Sequence, residues 1–347
     1  MAAIFTRCGD PRPGYCDTAK RGAWIMSVLI LALTMALAAQ DPSPQDPARQ
    51  DPTPPAERST PVEDIVVEGR QRDARERAIP YVREVIAPAR RSEPARWPDH
   101  VCVQVMNLEG EAARYLADRV STVASDVGLT VGEGGCEPNI LIAVTDDGDR
   151  MARELVEARP RQFVLGSAGT DRGRLALDAF QTSGAPVRWW HVSMPVDIYT
   201  GRPSVRVPGQ PVFSAPIGGI TKPSDLGNYG QVVVGSRLTN HSRNDLQQVI
   251  VIIDVAAADG TGLIELADYV AMVALVQVDP DAETRGYDTI LNLFTEGATP
   301  PPHMTDWDWA FLTGLYTDEV LSSRGVGTIA DGMAREIISG GEEAADE

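Results

Sequence analysis

A proline-rich repeat near the N-terminus confines any folded core to the later part of this chain. The sequence Gln-Asp-Pro occurs three times at five-residue spacing, beginning at Gln40, Gln45 and Gln50. Proline fixes φ and removes a backbone donor, and almost nothing in this stretch is apolar. We therefore predict a disordered Pro-rich linker over residues 40–79.

The remaining chain is long enough to bury a core. Of 347 residues, 43% are hydrophobic, and the net charge is −18. We predict an α+β region over residues 80–340, with lobes of about 80–160 and 161–340, and an acidic tail at 341–347. The acidic balance excludes a nucleic-acid binder, which needs a basic surface.

An apolar segment over Trp24–Ala39 follows Lys20 and Arg21 and ends in small residues. This pattern predicts a signal peptide over residues 1–39, a periplasmic or secreted protein, and no stable membrane span after cleavage. The alternative is a chain anchored in the membrane by an uncleaved N-terminal segment. Translation could start at Met1 or at Met26, and both starts remain open.

The segment Val62–Gly69 resembles a short sequence near the N-terminus of outer-membrane receptors that use an energy-coupling partner. The resemblance implies a strand that adds to the sheet edge of an envelope protein partner. The alternative is a β-prone stretch within the linker.

The first lobe shows alternating strand and helix patterns. Strands are predicted at Val101–Leu108 and Asn139–Thr145, with helices at Glu109–Asp126 and Asp147–Ala158. Cys102 opens the first strand, and Cys136 precedes the second. In an exported chain without a Cys-x-x-Cys motif these two cysteines are predicted to form a disulfide.

Two neighbouring tryptophans lie in a predicted strand between the lobes. Trp189 and Trp190 must point to opposite faces of a strand. We expect both to serve packing. The alternative is that one lies in the core and the other is exposed as a binding-surface aromatic.

The C-terminal half is predicted to contain a buried strand, Val249–Val255, followed by a buried helix, Leu263–Leu275. Glu265, Asp268 and Tyr269 form one polar stripe on that helix. Because burying a carboxylate without a partner is costly, the stripe must meet a cleft, a cation or hydrogen-bond donors.

Two further helices are predicted near the C-terminus. A helix over Asp306–Tyr316 is preceded by Thr305, and Asp308 stands where a capping box has Glu. A final helix is predicted over Gly327–Ser339.

Five short segments resemble an uncharacterised family of exported proteins from Gram-negative bacteria: Arg96–Cys102, Cys136–Asn139, Leu266–Met272, Ile290–Phe294 and Thr305–Tyr316. The likeness spans roughly residues 80–316. It implies an exported protein and names no activity.

The order of strand, buried helix, Leu-Asn-Leu-Phe segment and Leu-Tyr helix is similar, more weakly, to zincin metallopeptidases. In zincins the buried helix carries His-Glu-x-x-His, whose histidines bind zinc while the glutamate is the general base. On that pattern Glu265 keeps the base position, Ile264 replaces the first ligand, and Asp268 replaces the second. The resemblance implies a zincin-like, mostly helical C-terminal half that has lost its metal motif. The alternative is coincidence, with both carboxylates hydrogen-bonded in a core.

No other motif supplies a catalytic machinery. His100, His191, His241 and His303 are far apart in sequence, and only folding could bring His241 near Glu265. The chain lacks the glycine-rich phosphate loops and the nucleophile elbow of serine hydrolases. We therefore predict no metal and no cofactor.

The sequence favours a non-catalytic binding or envelope-associated module of unknown ligand. Its candidate contact residues are Glu265, Asp268, Tyr269, Trp189, Trp190 and His241. The alternative is a metal-dependent peptidase or hydrolase with altered ligands, in which Glu265 is the general base.

Overall fold

The computed structural model describes residues 62–88, 93–163, 172–198, 204–206, 231–233, 242–317 and 325–346. Residues 59–347 form one compact unit. The predicted signal peptide, the linker up to residue 61 and His241 lie outside the described residues. Within the described ranges, no helix is long and apolar enough to cross a membrane.

The strands form one central sheet and two small ones. In chain order they are β1 His100–Val101, β2 Val103–Met106, β3 Thr130–Val131, β4 Ile140–Thr145, β5 Val187–Asp197, β6 Ser204–Arg206, β7 Gln231–Val233 and β8 Ser242–Asp254. The central sheet has the order β2-β4-β8-β5, and only β5 runs antiparallel to its neighbour. β1 pairs with β3, and β6 with β7, both in parallel.

The helices precede, connect and follow these strands. They are α1 Val62–Val85, α2 Gly110–Asp126, α3 Gly148–Ala158, α4 Pro160–Phe163, α5 Arg174–Thr182, α6 Leu263–Leu275, α7 Asp306–Tyr316 and α8 Val326–Asp346, with a 3-10 helix at Ile290–Phe294.

The predicted capping box of α7 is present, since the Thr305 hydroxyl accepts from Asp308 N and the Asp308 carboxylate accepts from Thr305 N.

Helices pack on both faces of the central sheet. Successive strand residues point to opposite faces, so Val249 and Val251 of β8 face the first side, and Ile250 and Ile252 face the second. On the first side they join a large core with α1, α2, α6, α7 and α8. On the second side α3, α4 and α5 form a smaller cluster. The predicted α+β class is therefore confirmed.

The predicted disulfide is also confirmed. Cys102 and Cys136 are bonded, with Cα atoms 6.1 Å apart. Cys102 lies between β1 and β2, and Cys136 precedes β4. The bond ties the loop that enters β4 to the strand beside it.

Helix α1 corrects the expectations for residues 62–79, where a disordered linker and a strand at Val62–Gly69 were predicted. Ala74, Ala78, Tyr81 and Val85 recur at helical spacing, and all four are buried in the fold. The predicted strand covers only the eight residues Val62–Gly69, whereas the buried stripe of α1 begins at Ala74.

The division into two lobes near residue 160 is not observed. Strand β8, from the second predicted lobe, lies between β4 and β5 and pairs with β4 over six residues. The apolar run of β8 is buried because it is an interior strand of the same sheet. The C-terminal helix likewise continues through most of the predicted acidic tail, to Asp346.

Candidate functional site

Asp268, in the polar stripe of α6, meets hydrogen-bond donors in the interior of the fold. Asp268 is fully buried, and its Oδ1 accepts from Arg119 Nε of α2. Its Oδ2 accepts from the backbone N–H of Met304 at 2.7 Å. Asp268 is therefore a structural anchor, and the prediction that it lies on a contact surface is wrong.

Tyr269 is buried among aromatic rings. Its ring meets Trp189 edge-on at 6.1 Å between centroids and Phe294 at 5.1 Å. Burial raises the pKa of the Tyr269 hydroxyl above its ordinary value. The prediction that Tyr269 contacts a ligand is also wrong, because the first face of the sheet covers the side of α6 that carries this residue.

Glu265 is half-buried at the start of α6 and turns back over its own helix end. A Cβ atom added to Gly262, the N-cap, would clash with Glu265 Oε2. The carboxylate thus occupies the space that a side chain at Gly262 would need. This position favours a negative charge, since the first backbone N–H groups and the helix dipole both point there. Ile264, at the first zinc-ligand position, is 54% exposed.

Both tryptophans of β5 are buried and pack in the fold, so neither is the exposed binding-surface aromatic of the alternative. The indole of Trp189 donates to Val278 O at 3.0 Å in the first core. The indole of Trp190 donates to Phe163 O at 3.1 Å beneath α4. Each ring is covered because helices pack on both faces of the sheet, a fact that strand alternation cannot supply.

The described histidines occupy separate environments. His191 is buried, and its Nε2 lies 2.8 Å from Val273 O. Desolvation lowers the pKa of His191 to about 4. His303 is exposed beside Met304, and His100 is exposed at the start of β1. No group of three metal-ligating side chains occurs in the described part of the chain.

A groove of about 820 Å³ lies on the second face of the sheet. Among the described residues, α3–α5 cover one part of this face, and the groove lies over β2, β4 and the start of β8. The strands contribute Gln104, Met106, Leu141, Ala143, Gln248 and Ile250, and the α3–α4 side contributes Leu155, Arg159, Gln162 and Phe163. We call this feature the sheet groove.

The sheet groove combines apolar surface with free amide groups. Within the described residues, no protein group bonds the side-chain amides of Gln104, Gln162 or Gln248. The pairing of β5 with β8 shifts at Val192, which leaves Gln247 as an extra residue on β8 beside the groove. Such bulges redirect side chains and are frequent next to functional sites.

Charge in the sheet groove is confined to one end. His100 precedes β2, and Glu137 precedes β4, so both lie where these parallel strands begin. Arg159 lies at the same end, because it follows α3, which runs from the end of β4 back toward its start. The strand residues that line the groove are all uncharged. The groove is therefore suited to a neutral ligand that exchanges hydrogen bonds with amides.

The sheet groove is not among the sites predicted from the sequence. The signals were present, because Gln104 alternates with Val103 and Val105, and Gln247 and Gln248 interrupt the apolar pattern before Val249. A strand pattern shows which residues share a face. It does not show whether a helix covers that face.

Comparison with protein families, with curated proteins and with solved structures found nothing that matches this chain.

Proposed function

We propose that this protein is an exported, non-catalytic binding module and that the sheet groove is its binding site. The observation that carries the proposal is the open part of the second sheet face, with apolar floor residues and unbonded amides. Concave, mostly apolar surfaces with a few polar groups are the usual form of ligand sites.

The proposed location is the periplasm or the exterior, and the proposed partner is a protein of the cell envelope. The apolar leader at Trp24–Ala39 and the disulfide between Cys102 and Cys136 support export, because disulfides persist in oxidising compartments. The resemblance to an uncharacterised family of exported proteins is part of the same proposal, because it also implies export.

A degenerate zincin helix is a further part of the proposal. Strand β8, buried helix α6, the 3-10 helix at Ile290–Phe294 and helix α7 follow one another in the order on which the resemblance depends. Asp268 is engaged by Arg119 and by Met304 N, so its carboxylate serves the fold. The proposal is thus a pseudoenzyme, in which binding has moved to the other face of the sheet.

The binding function can be tested with a display library of random heptapeptides. The full-length protein is the bait, and enriched peptides are measured by isothermal titration. We expect the double variant Gln104→Ala/Gln248→Ala to bind about five- to 150-fold more weakly, since two amide hydrogen bonds together contribute about 1–3 kcal/mol. The variant Leu155→Trp, which narrows the groove, should weaken binding further.

Two control variants make the result specific. Gln71→Ala removes an exposed amide from α1, on the other side of the sheet, and Leu175→Ser changes a side chain of α5 that is 86% exposed. Both should bind like the wild type. Failure of the library to yield any peptide that distinguishes the groove variants from these controls would overturn the proposed function.

A further inference from the structure

We infer that the ligand of the sheet groove is an extended, uncharged peptide that adds as a strand to the free edge of β2. This inference rests on the binding function proposed above, and it specifies the conformation and chemistry of the ligand. Four properties of β2 and its surroundings support it.

The first property is the direction of the backbone groups. The Val101 carbonyl accepts from Gly132 N at 2.8 Å on the side of β3, while the Cys102 carbonyl accepts from Ile140 N at 3.0 Å on the side of β4. Successive strand residues direct their backbone groups to opposite sides. Val103 and Val105 therefore direct their N–H and C=O groups away from β4. In the described part of the chain, β4 is the only strand that pairs with β2.

The second property is the way the neighbouring chain leaves this edge. Strand β3 pairs with β1 over two residues and ends at Val131. At Gly132 the backbone runs so close to the disulfide that an added Cβ would lie 2.6 Å from Cys136 Sγ. The disulfide thus holds the following loop near β4 at its entry, and among the described residues no strand follows β3 along the edge of β2. An added strand would continue the line of β3.

The third property is the lack of protection on this edge. Natural edge strands avoid unwanted pairing through charged side chains, proline or a bulge. The sequence of β2 is Val-Gln-Val-Met, which has none of these features, and Met106 is 36% exposed. An edge of this kind accepts peptide strands in known recognition domains.

The fourth property is the position of the edge beside the groove. Gln104 and Met106 point to the second face, where they line the sheet groove. Every second side chain of an added strand would point to the same face and meet Gln104 and the neighbouring floor. Since the floor is neutral, we expect small apolar or amide side chains at those positions.

A second copy of this chain is a poorer occupant than a peptide of another protein. Each chain carries a net charge of −18, so two copies repel each other. A neutral segment of a partner carries no such penalty.

Backbone methylation of the bound peptide tests strand addition directly. N-methylation keeps the side chain and removes one donor, so it blocks strand pairing only where the N–H faces β2. We expect methylation at one set of alternate residues to weaken binding to the full-length protein by about tenfold or more, and methylation at the other set to have little effect. Hydrogen exchange should also slow at the Val103 and Val105 amides in the complex.

The outcomes separate this inference from the function on which it rests. Binding that depends on Gln104 and Gln248 but tolerates methylation at every position would overturn strand addition and leave the groove as the binding site. Failure to find any groove-dependent peptide would overturn both. Slower exchange at Val103 and Val105 that grows with protein concentration, without peptide, would instead identify a dimer and overturn the inference.

Discussion

Arg119 and Asp268 form an ion pair between helices α2 and α6 in which the two partners are unequally buried. The Asp268 side chain is inaccessible to solvent, whereas the Arg119 side chain is 25% exposed. The Arg119 guanidinium also lies 6.0 Å from the centroid of the Trp309 ring on α7. The pair therefore links α2, α6 and α7 on the first side of the sheet.

The unequal burial predicts unequal effects of mutation. Arg119→Leu leaves a buried carboxylate with the Met304 N–H as its remaining donor, and we expect a loss of about 3–5 kcal/mol of unfolding free energy. Asp268→Leu leaves an arginine that can turn to solvent, so the loss should be smaller. Urea denaturation measures both changes. Equal stability of wild type and Arg119→Leu would contradict a structural role for the pair.

The environment of α6 also predicts how the protein responds to metal. Because Asp268 is engaged and Ile264 has no ligand atom, we expect substoichiometric zinc in the purified protein by elemental analysis. Glu265→Gln should cost only about 0.3–1 kcal/mol, the usual contribution of a charge at a helix start. Stoichiometric zinc that is lost in Glu265→Gln or Asp268→Asn would instead support the metallopeptidase alternative.

Burial of His191 predicts a loss of stability in acid. The pKa of its imidazole is lowered from 6.5 to about 4 in the fold. The unfolded chain therefore binds a proton that the folded chain does not bind, and stability falls as the pH drops from about 6.5 to about 4. The size of this loss is on the order of 3 kcal/mol.

The variant His191→Gln provides the matched comparison, because glutamine can still donate to Val273 O without titrating. Its unfolding free energy should depend less on pH than that of the wild type between pH 4 and 6.5. Parallel curves for the two proteins would show that His191 does not cause the acid sensitivity.

The disulfide is predicted to stabilise the fold by restricting the unfolded chain. Cys102 and Cys136 are separated by 34 positions in sequence. A loop of that size corresponds to about 4 kcal/mol in the chain-entropy model. Cys102→Ser/Cys136→Ser should lower the unfolding free energy by this amount, and wild-type protein in reductant should show the same denaturation midpoint. A double variant as stable as the oxidised wild type would exclude this contribution.

Local patterns in the sequence were sufficient to predict several elements. The apolar spacing in Leu116, Val120 and Val123 predicted helix α2, and the β-branched run at Val249–Val255 predicted part of β8. Thr305 and Asp308 predicted the start of α7, and the two remaining cysteines predicted the disulfide. The helices and the strand depend on residues close in sequence. The disulfide could be predicted because only two cysteines remain after the predicted leader is removed.

The candidate site depended on contacts that the sequence does not encode locally. The sequence predicted a polar stripe of Glu265, Asp268 and Tyr269 that needs partners, but only the fold supplies Arg119 and Met304 as donors to Asp268. The strand pattern of β5 placed Trp189 and Trp190 on opposite faces, and only the packing of helices on both sides showed that both are buried.

The sequence by itself determined the periodicity of the elements, the pairing of Cys102 with Cys136, and the acidic net charge of −18. The tertiary structure alone decided the strand order β2-β4-β8-β5 and the part of the second face that the described helices leave uncovered. The physical reason is that alternation assigns side chains to a face, while covering that face depends on where distant helices pack. Gln104 and Gln248, separated by most of the folded chain, line one groove because β4 lies between their strands.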